Sequence, residues 1–243
     1  MRVAALYDVH GNLPALEAVL ADVEADLILA GGDVVLGPMP AECLELLRER
    51  SATLIRGNTE RHVVHPPEFG EDVWNARARW AHEQLDDEQL AFLGGLPHPL
   101  SLDVDGLGPT LFCHGSPRSD EEILTAITPP KRLDPMLDGV QEQVVVCGHT
   151  HVQFDRLVGE TRIVNAGSVG MPYEGVAGIA CWALLGPEVE LRRSRYDAEA
   201  AAAAIRATGA PGADEFADEY VLAPESAEEA TAYFERVASE PLR

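Results

Sequence analysis

Short apolar runs alternate with helix-like segments along the first quarter of the chain. Each run is followed by a glycine or an aspartate. The three runs are residues 2–7, 27–30 and 52–56. Between them, leucines and valines recur every three or four positions from Leu13 to Val23, which predicts a helix, and residues 40–50 are also predicted to be helical. Such strand–helix–strand alternation favours parallel pairing with right-handed crossovers.

The second half of the chain begins with a helix-rich stretch at 70–96, which Pro97 and Pro99 end. Seven strands are predicted beyond it: 100–104, 110–113, 144–147, 154–158, 161–164, 179–185 and 189–195. The strands around Gly159-Glu160 are predicted to form a hairpin. From Asp197 the composition changes to alanine and glutamate, which predicts helices at 197–207 and 225–238.

Five polar motifs follow these apolar runs, each at a strand end. They are Asp8-Val9-His10, Gly31-Gly32-Asp33, Gly57-Asn58, His114-Gly115 and Gly148-His149-Thr150-His151. Because ligand crevices in open α/β sheets lie at the carboxyl ends of the strands, we expect these side chains to converge. The neighbouring glycines permit tight turns. Two carboxylates, one amide and four imidazoles are too many for one tetrahedral zinc ion, and they suit two metal ions.

In this order the motifs resemble the signature Asp-x-His, Gly-Asp, Gly-Asn, His-Gly and Gly-His-x-His of the calcineurin-like metallophosphoesterase superfamily. The segment from Asn165 to Ser168 resembles its small bacterial and archaeal phosphodiesterase branch. The resemblance covers roughly residues 1–196 and implies an α/β fold of two facing mixed β-sheets flanked by helices, a four-layer αββα sandwich. The helical tail 197–243 is expected to pack as an appendage on the same domain.

The resemblance also implies a set of metal ligands. The first metal would be held by Asp8, His10, Asp33 and His151, with Asp33 bridging, and the second would be completed by Asn58, His114 and His149. It implies two divalent ions and a hydroxide between them that attacks phosphorus in line, with Asp33 and Asn58 serving catalysis. Mixed nitrogen and oxygen ligands accept manganese, our first choice, as well as iron, nickel or zinc.

One position departs from the superfamily pattern. Where many members have a histidine after Gly-Asn, this chain has Thr59, whose hydroxyl donates a hydrogen bond but is a poor acid. The departure favours substrates with good leaving groups, or another acid. Some members of the phosphodiesterase branch that the chain resembles also lack this histidine, so the resemblance implies a phosphodiesterase. The alternatives are a phosphomonoesterase, such as a protein or dinucleotide-polyphosphate phosphatase, and a non-catalytic metal-binding scaffold of the same fold.

Composition narrows the class of partner. The 243 residues, 46% of them hydrophobic, can bury a full core. A formal charge of −23 repels phosphate backbones, which disfavours general nucleic-acid binding. The family resemblance implies a small phosphorylated substrate. With no apolar run long enough for a membrane, no secretion signal and four scattered cysteines, we expect a cytoplasmic protein with reduced thiols. The sequence leaves the oligomeric state open.

Residues near the motifs are weaker candidates. Glu60 is expected to orient a ligand histidine, and His62 and His65 are interpreted as loop surface. Ser116 and Arg118 could contact a substrate phosphate, or could belong to a capped turn before an acidic helix at Asp120-Glu121-Glu122.

Five further residues are interpreted structurally. Ser168 lacks the context of a nucleophile elbow and is expected to form a turn. Trp74 and Trp80 are expected to pack a helix. Neither His82 nor His98 has a partner at metal-ligand spacing.

Overall fold

The structure, a computed structural model, describes residues 1–67, 70 and 72–240. The sequence predictions for residue 71, within 70–96, and for residues 241–243, at the end of the tail, lie outside the described residues.

The strands divide equally between two five-stranded sheets. They are β1 (Val3–Leu6), β2 (Leu27–Ala30), β3 (Thr53–Leu54), β4 (Leu100–Val104), β5 (Gly108–Phe112), β6 (Val144–Cys147), β7 (Phe154–Val158), β8 (Thr161–Asn165), β9 (Ile179–Leu185) and β10 (Val189–Arg195). The first sheet has the order β10-β9-β1-β2-β3, and the second has the order β4-β5-β6-β8-β7. The predicted hairpin is confirmed as the antiparallel pair of β7 and β8.

Both sheets are mixed. In the first, β1 runs parallel to β2 and antiparallel to β9. In the second, β6 runs parallel to both of its neighbours, β5 and β8, while β4 and β7 are antiparallel edges. Because parallel neighbours end at the same edge, the loops that follow β1, β2, β5 and β6 gather at one end of the molecule.

The sheets pack face to face through a shared apolar core. Tyr7 and Leu29 of the first sheet region meet Phe112, Val146 and Val164 of the second, and all five are fully buried. Burying an apolar side chain of this size contributes about 1.5–3 kcal/mol each. Helices cover the two outer faces, so the predicted four-layer sandwich is confirmed.

The helices are α1 (Leu13–Asp22), α2 (Pro40–Glu49), α3 (Asn58–Val64), α4 (Val73–Gln84), α5 (Asp87–Gly94), α6 (Pro130–Leu133), α7 (Ala198–Ala207), α8 (Ala213–Phe216) and α9 (Ala227–Ser239). A π-helical turn, Ala217–Leu222, continues α8. Among the described residues, no helix combines the length and the hydropathy that crossing a bilayer requires.

Two local predictions need correction. The expected acidic helix at Asp120-Glu121-Glu122 is wrong, because these residues form a loop whose carboxylates pair with arginines and a serine. The tail has more helix than expected: α8 and the π-helical turn occupy the segment between the two predicted helices.

The C-terminal segment packs against the end of the molecule where the motifs lie. Ala201, Ile205, Phe216 and Val221 form a buried cluster with Met171, which belongs to the loop after β8. This contact brings the tail next to the candidate site. The predicted boundary at residue 196 stays a prediction.

Candidate metal centre

The structure brings the predicted ligands together at the carboxyl ends of the strands. Two adjacent groups form, and within each group the possible ligand atoms lie within 4.8 Å of one another. The first group is Asp8, His10 and His151, and the second is Asp33, His114 and His149.

The carboxylates of Asp8 and Asp33 each lie close to a histidine of both groups. The Nε2 atom of His10 is 3.9 Å from Asp8 Oδ1 and 3.8 Å from Asp33 Oδ2. The Nε2 atom of His114 is 3.7 Å from Asp8 Oδ1 and 3.4 Å from Asp33 Oδ1. Either aspartate can therefore face both positions, and the bridging role of Asp33 stays a prediction.

The backbone conformation marks the same residues independently of their side chains. Asp8, His10, Asp33, His149 and His151 all have positive φ, between 47° and 65°. Among the described residues, the only other non-glycine residue in this region is Ser51. Left-handed conformations of this kind cost about 1–3 kcal/mol each and persist where the surrounding structure enforces them, often at functional sites.

The loop after β8 enforces the conformation of Asp8. The Oγ of Ser168 donates to the Asp8 carbonyl at 2.7 Å, and the amide of Gly170 donates to the same oxygen at 3.0 Å. The Asp8 carboxylate accepts from the His149 amide at 2.9 Å. Ser168 is fully buried in this network, which agrees with its interpretation as a turn residue.

Backbone carbonyls orient three of the histidines. The Nδ1 atoms of His10, His114 and His151 lie 3.3, 3.0 and 3.0 Å from the carbonyls of Leu36, Gly31 and Met171. A proton on Nδ1 leaves Nε2 as a lone-pair donor, which is how proteins commonly fix metal-ligating histidines. The Nε2 atoms of His10 and His151 face each other at 3.2 Å, as two ligands of one cation would.

Glu60 has a different role from the one expected. Its carboxylate accepts hydrogen bonds from the amides of Asp33, Val34 and Gly57, at 2.9, 2.7 and 2.7 Å, and touches no ligand histidine. It is fully buried. Glu60 therefore ties the turn that carries Asp33 to the start of α3, which carries Asn58. The expectation was wrong because the partner groups are backbone amides, which no side-chain motif reveals.

Burial and the charges of neighbouring carboxylates shift the pKa values of three histidines in the site. Burial lowers the pKa of both His10 and His149 to about 4. Burial also acts to lower the pKa of His114, but the charges of Asp33 and Asp8 outweigh it and raise that pKa to about 10. Without a cation, a proton on His114 thus balances part of the carboxylate charge. A divalent ion would take the place of that proton.

Three buried atoms of the predicted ligands lack hydrogen-bond partners among the described residues. They are Asp8 Oδ1, Asn58 Oδ1 and His114 Nε2. Buried polar groups are nearly always satisfied, and one left unpaired costs about 1–3 kcal/mol. These oxygen and nitrogen atoms are all donors that divalent metals accept. The residues present therefore fit two metal ions.

Comparison with known proteins agrees with this geometry. Residues 1–185 match the family model of the calcineurin-like phosphoesterase superfamily domain. The chain belongs to this superfamily. Members depend on a dinuclear metal centre, and the chain has two candidate ligand groups.

Three relatives show how far the likeness extends. The chain is 28% identical to the uncharacterized protein MJ0912 of Methanocaldococcus jannaschii over 222 residues, which are 80% of this chain and 88% of that protein. A solved metallophosphoesterase of Sphaerobacter thermophilus is 28% identical, with a TM-score of 0.71 over 90% of this chain and 97% of that one. The hypothetical protein PH1004 of Pyrococcus horikoshii has the same fold, at 20% identity and a TM-score of 0.78 over 93% of this chain and 99% of that one.

A cavity of about 760 Å³ opens from the ligand groups of this calcineurin-like phosphoesterase domain. Asn58 and Thr59, at the start of α3, line its inner end. Its outer end is lined by Trp74 and His62 and by residues of the C-terminal segment. Trp74 is 44% exposed, so the expectation that it packs a helix is wrong, whereas Trp80 packs against the C-terminal cluster. His62 lies on α3 and not in a loop, although it is exposed as expected.

The other weak candidates lie outside this cavity. Ser116 and Arg118 both donate to Glu122, so the capped-turn interpretation fits them better than phosphate contact. His98 Nε2 accepts from the His114 amide at 3.1 Å and so helps to hold a ligand residue in place. The position of His98 in the sequence does not indicate this role. His65 is exposed at the end of α3.

Gly57→Ala is expected to weaken metal binding at least tenfold, because the new Cβ would lie 2.2 Å from Asp33 Oδ1 and 2.7 Å from the Asp33 amide nitrogen. The φ of Gly57 is −99°, so the effect is steric. Calorimetric titration with Mn²⁺ measures it. Gly94→Ala is the control, since its Cβ would meet only Val64 Cγ1, at 3.6 Å. Equal Mn²⁺ affinity in the two variants would contradict the packing argument.

Proposed function

We propose that the chain is a phosphodiesterase whose two divalent metal ions are held by Asp8, His10, Asp33, Asn58, His114, His149 and His151. One observation carries the proposal. Three buried ligand atoms have no hydrogen-bond partner among the described residues, and the ligand groups open into a cavity that Asp33 and Asn58 help to line. Membership of a phosphoesterase superfamily gives the reaction class.

Two divalent ions at this position would supply positive charge for phosphoryl oxygens and make water nucleophilic near neutral pH. The chain's own residues prepare that site. Backbone carbonyls lie beside Nδ1 of three of the four histidines, which favours the metal-binding tautomer, and the amide of Thr59 donates to the Asp33 carboxylate at 2.9 Å. Because Asn58 is neutral, only two carboxylates offset the metal charge, and the pocket keeps a positive excess for an anionic phosphate.

The cavity favours a diester over a monoester. A phosphomonoester has one organic group, and a volume of about 760 Å³ leaves room for two. Thr59 occupies the position at which many superfamily members carry a histidine, and a diester with a good leaving group has less need of an acid there.

Turnover of chromogenic esters tests this proposal. Chelator-treated protein reloaded with Mn²⁺ is expected to cleave bis(p-nitrophenyl) phosphate with a higher kcat/KM than p-nitrophenyl phosphate. Activity is expected to disappear with chelator and return with Mn²⁺. A faster monoester would support the phosphomonoesterase alternative instead. No turnover of either ester with manganese, iron, nickel or zinc would support a metal-binding scaffold.

Thr59→Val is expected to lower kcat by about fivefold to tenfold, because it removes one neutral hydrogen bond worth about 1 kcal/mol. The Thr59 hydroxyl is buried, lines the cavity and has no partner among the described residues, so it is free to donate to a substrate oxygen. Thr59→Ser keeps the hydroxyl and is expected to retain most of the activity. Steady-state kinetics with bis(p-nitrophenyl) phosphate measure both variants. Equal losses in the two would contradict a role specific to the hydroxyl, because Thr59→Ser keeps it and Thr59→Val does not.

A further inference from the structure

Aromatic rings form a continuous wall from the metal centre to the mouth of the cavity. The ring of Tyr173 stacks on His151 with centroids 5.6 Å apart and an interplanar angle of 24°. Phe234 follows at 6.2 Å from Tyr173, and Tyr233 follows at 5.5 Å from Phe234. Trp74 and Tyr220 line the same cavity. A substrate bound at the metal centre would therefore extend along ring surfaces.

The outermost rings of this wall are exposed although they are large. Tyr233 is 51% exposed and Trp74 is 44% exposed. Exposed aromatic surface beside a cavity is typical of a binding site. Tyr220, Tyr233 and Phe234 lie beyond residue 185, where the match to the superfamily domain ends. The wall is thus built partly from the superfamily domain, through Trp74 and Tyr173, and partly from the segment that follows it.

The charge at the outer end of the cavity is negative. Glu219 and Glu225 line it, and no lysine or arginine does so in the part of the chain that the structure describes. The whole chain carries a formal charge of −23. A second phosphate or carboxylate of a substrate would meet repulsion from these two carboxylates, and no cationic side chain among the described residues lines the cavity to bind it.

The same rings already bind cations within the fold. The Arg77 guanidinium lies 5.3 Å from the centre of the Trp74 ring, and that of Arg236 lies 5.3 Å from the centre of the Tyr233 ring. Neither arginine lines the cavity. The negative face of an aromatic ring attracts a cation, and several rings together with carboxylates form the usual cage for a quaternary ammonium group.

We infer that the substrate is a phosphodiester carrying an alkylammonium group, which the outer cavity binds between the aromatic wall and the two glutamates. The inference rests on the proposed function and names its substrate class. The phosphoryl group would lie at the metal centre and the ammonium group against Trp74 and Tyr233. In the cleavage step, the oxygen of water forms the new bond to phosphorus, and the proton that it loses passes to the leaving oxygen or, when p-nitrophenolate leaves, to the solvent. The bond from phosphorus to the leaving oxygen breaks, and its electron pair departs with that oxygen.

Two esters that differ in one atom test this inference. p-Nitrophenyl phosphocholine carries a trimethylammonium group, and p-nitrophenyl 3,3-dimethylbutyl phosphate has carbon in place of the nitrogen. Shape and leaving group are the same, so the ratio of their kcat/KM values reports only the positive charge. With Mn²⁺-loaded protein, we expect the choline ester to be preferred about tenfold or more.

Variants locate the origin of the preference. In Glu219→Gln/Glu225→Gln the ratio is expected to fall toward one, and in Tyr233→Leu it is expected to fall severalfold. The control is Glu199→Gln/Glu228→Gln, which removes the same charge from two exposed helix positions that do not line the cavity. That variant is expected to keep the wild-type ratio. An equal fall in the control would show that overall charge, and not the cavity, sets the preference, and would overturn the inference.

The outcomes separate this inference from the proposed function. Cleavage of both esters at equal rates, or a preference for the neutral ester, would overturn the ammonium site and leave the phosphodiesterase intact. Cleavage of neither ester would contradict the proposed function. Calorimetric titration of the Mn²⁺-loaded protein with phosphocholine and with 3,3-dimethylbutyl phosphate then decides the ammonium site alone. Tighter binding of phosphocholine supports it, and equal or weaker binding overturns it.

Discussion

Asp33→Asn is expected to lower kcat for bis(p-nitrophenyl) phosphate by roughly a thousandfold, which corresponds to about 4 kcal/mol of transition-state stabilisation. The Asp33 carboxylate lies near both His10 and His114, so it faces both candidate metal positions. Asparagine keeps the oxygen that accepts from the Thr59 amide, but it removes half of the carboxylate charge of the site. Loss of metal, and not loss of fold, is the expected cause.

A matched substitution separates the two causes. Asp155→Asn removes a carboxylate that pairs with Arg162 on the outer hairpin, where an ion pair contributes about 0–1 kcal/mol. It is expected to leave kcat and metal content unchanged. Asp33→Asn protein with full activity would contradict the account of the centre. Asp33→Asn protein that is inactive but still holds two Mn²⁺ ions would limit Asp33 to a role other than ligation.

Glu60→Gln is expected to lower the free energy of unfolding by about 3 kcal/mol, because the three backbone amides that meet the Glu60 carboxylate cannot all be satisfied by one amide oxygen. For a chain of this size, that loss lowers the Tm by roughly 6–12 °C. Because Glu60 holds Asp33 and α3 together, Mn²⁺ affinity is also expected to fall about tenfold. Thermal unfolding and calorimetric titration measure the two effects.

The chain contains its own control for this substitution. Glu60 is the third residue of α3 and accepts from the Gly57 amide, as in a capping box. Glu229 holds the same position at the start of α9 and accepts from the Ser226 amide, but it is exposed, and among the described residues its hydrogen bonds join it to Ser226 alone. Glu229→Gln is expected to change the Tm by less than about 2 °C, because glutamine also completes an exposed capping box. A similar Tm for the two variants, or unchanged Mn²⁺ affinity in Glu60→Gln, would contradict the role assigned to Glu60.

The strands and the convergence of the motifs could be predicted because both depend on local patterns. Val144–Cys147 is a buried strand followed by a glycine and two histidines, and parallel strands end at one edge. These patterns predict that the polar side chains lie at the carboxyl edge of each sheet. It does not give the left-handed backbone of Asp8 or His151, which the loop after β8 imposes from far along the chain.

The surroundings of the site could not be predicted, because they depend on contacts between distant segments. Glu60 binds backbone amides 26 and 27 positions away, and backbone amides have no sequence signature. The aromatic wall joins Trp74 of α4 to Tyr233 of α9, and nothing in either helix indicates the other. Tyr233 could have been noticed only as an aromatic residue among the acidic positions of an exposed helix.

Titration of chelator-treated protein with Mn²⁺ tests the central claim, that seven side chains form a centre for two metal ions. We expect two ions to bind each wild-type chain, and fewer than two to bind the Asp33→Asn variant. A wild-type chain that binds no Mn²⁺, or a variant with both Asp8→Asn and Asp33→Asn that still binds two ions, would contradict it.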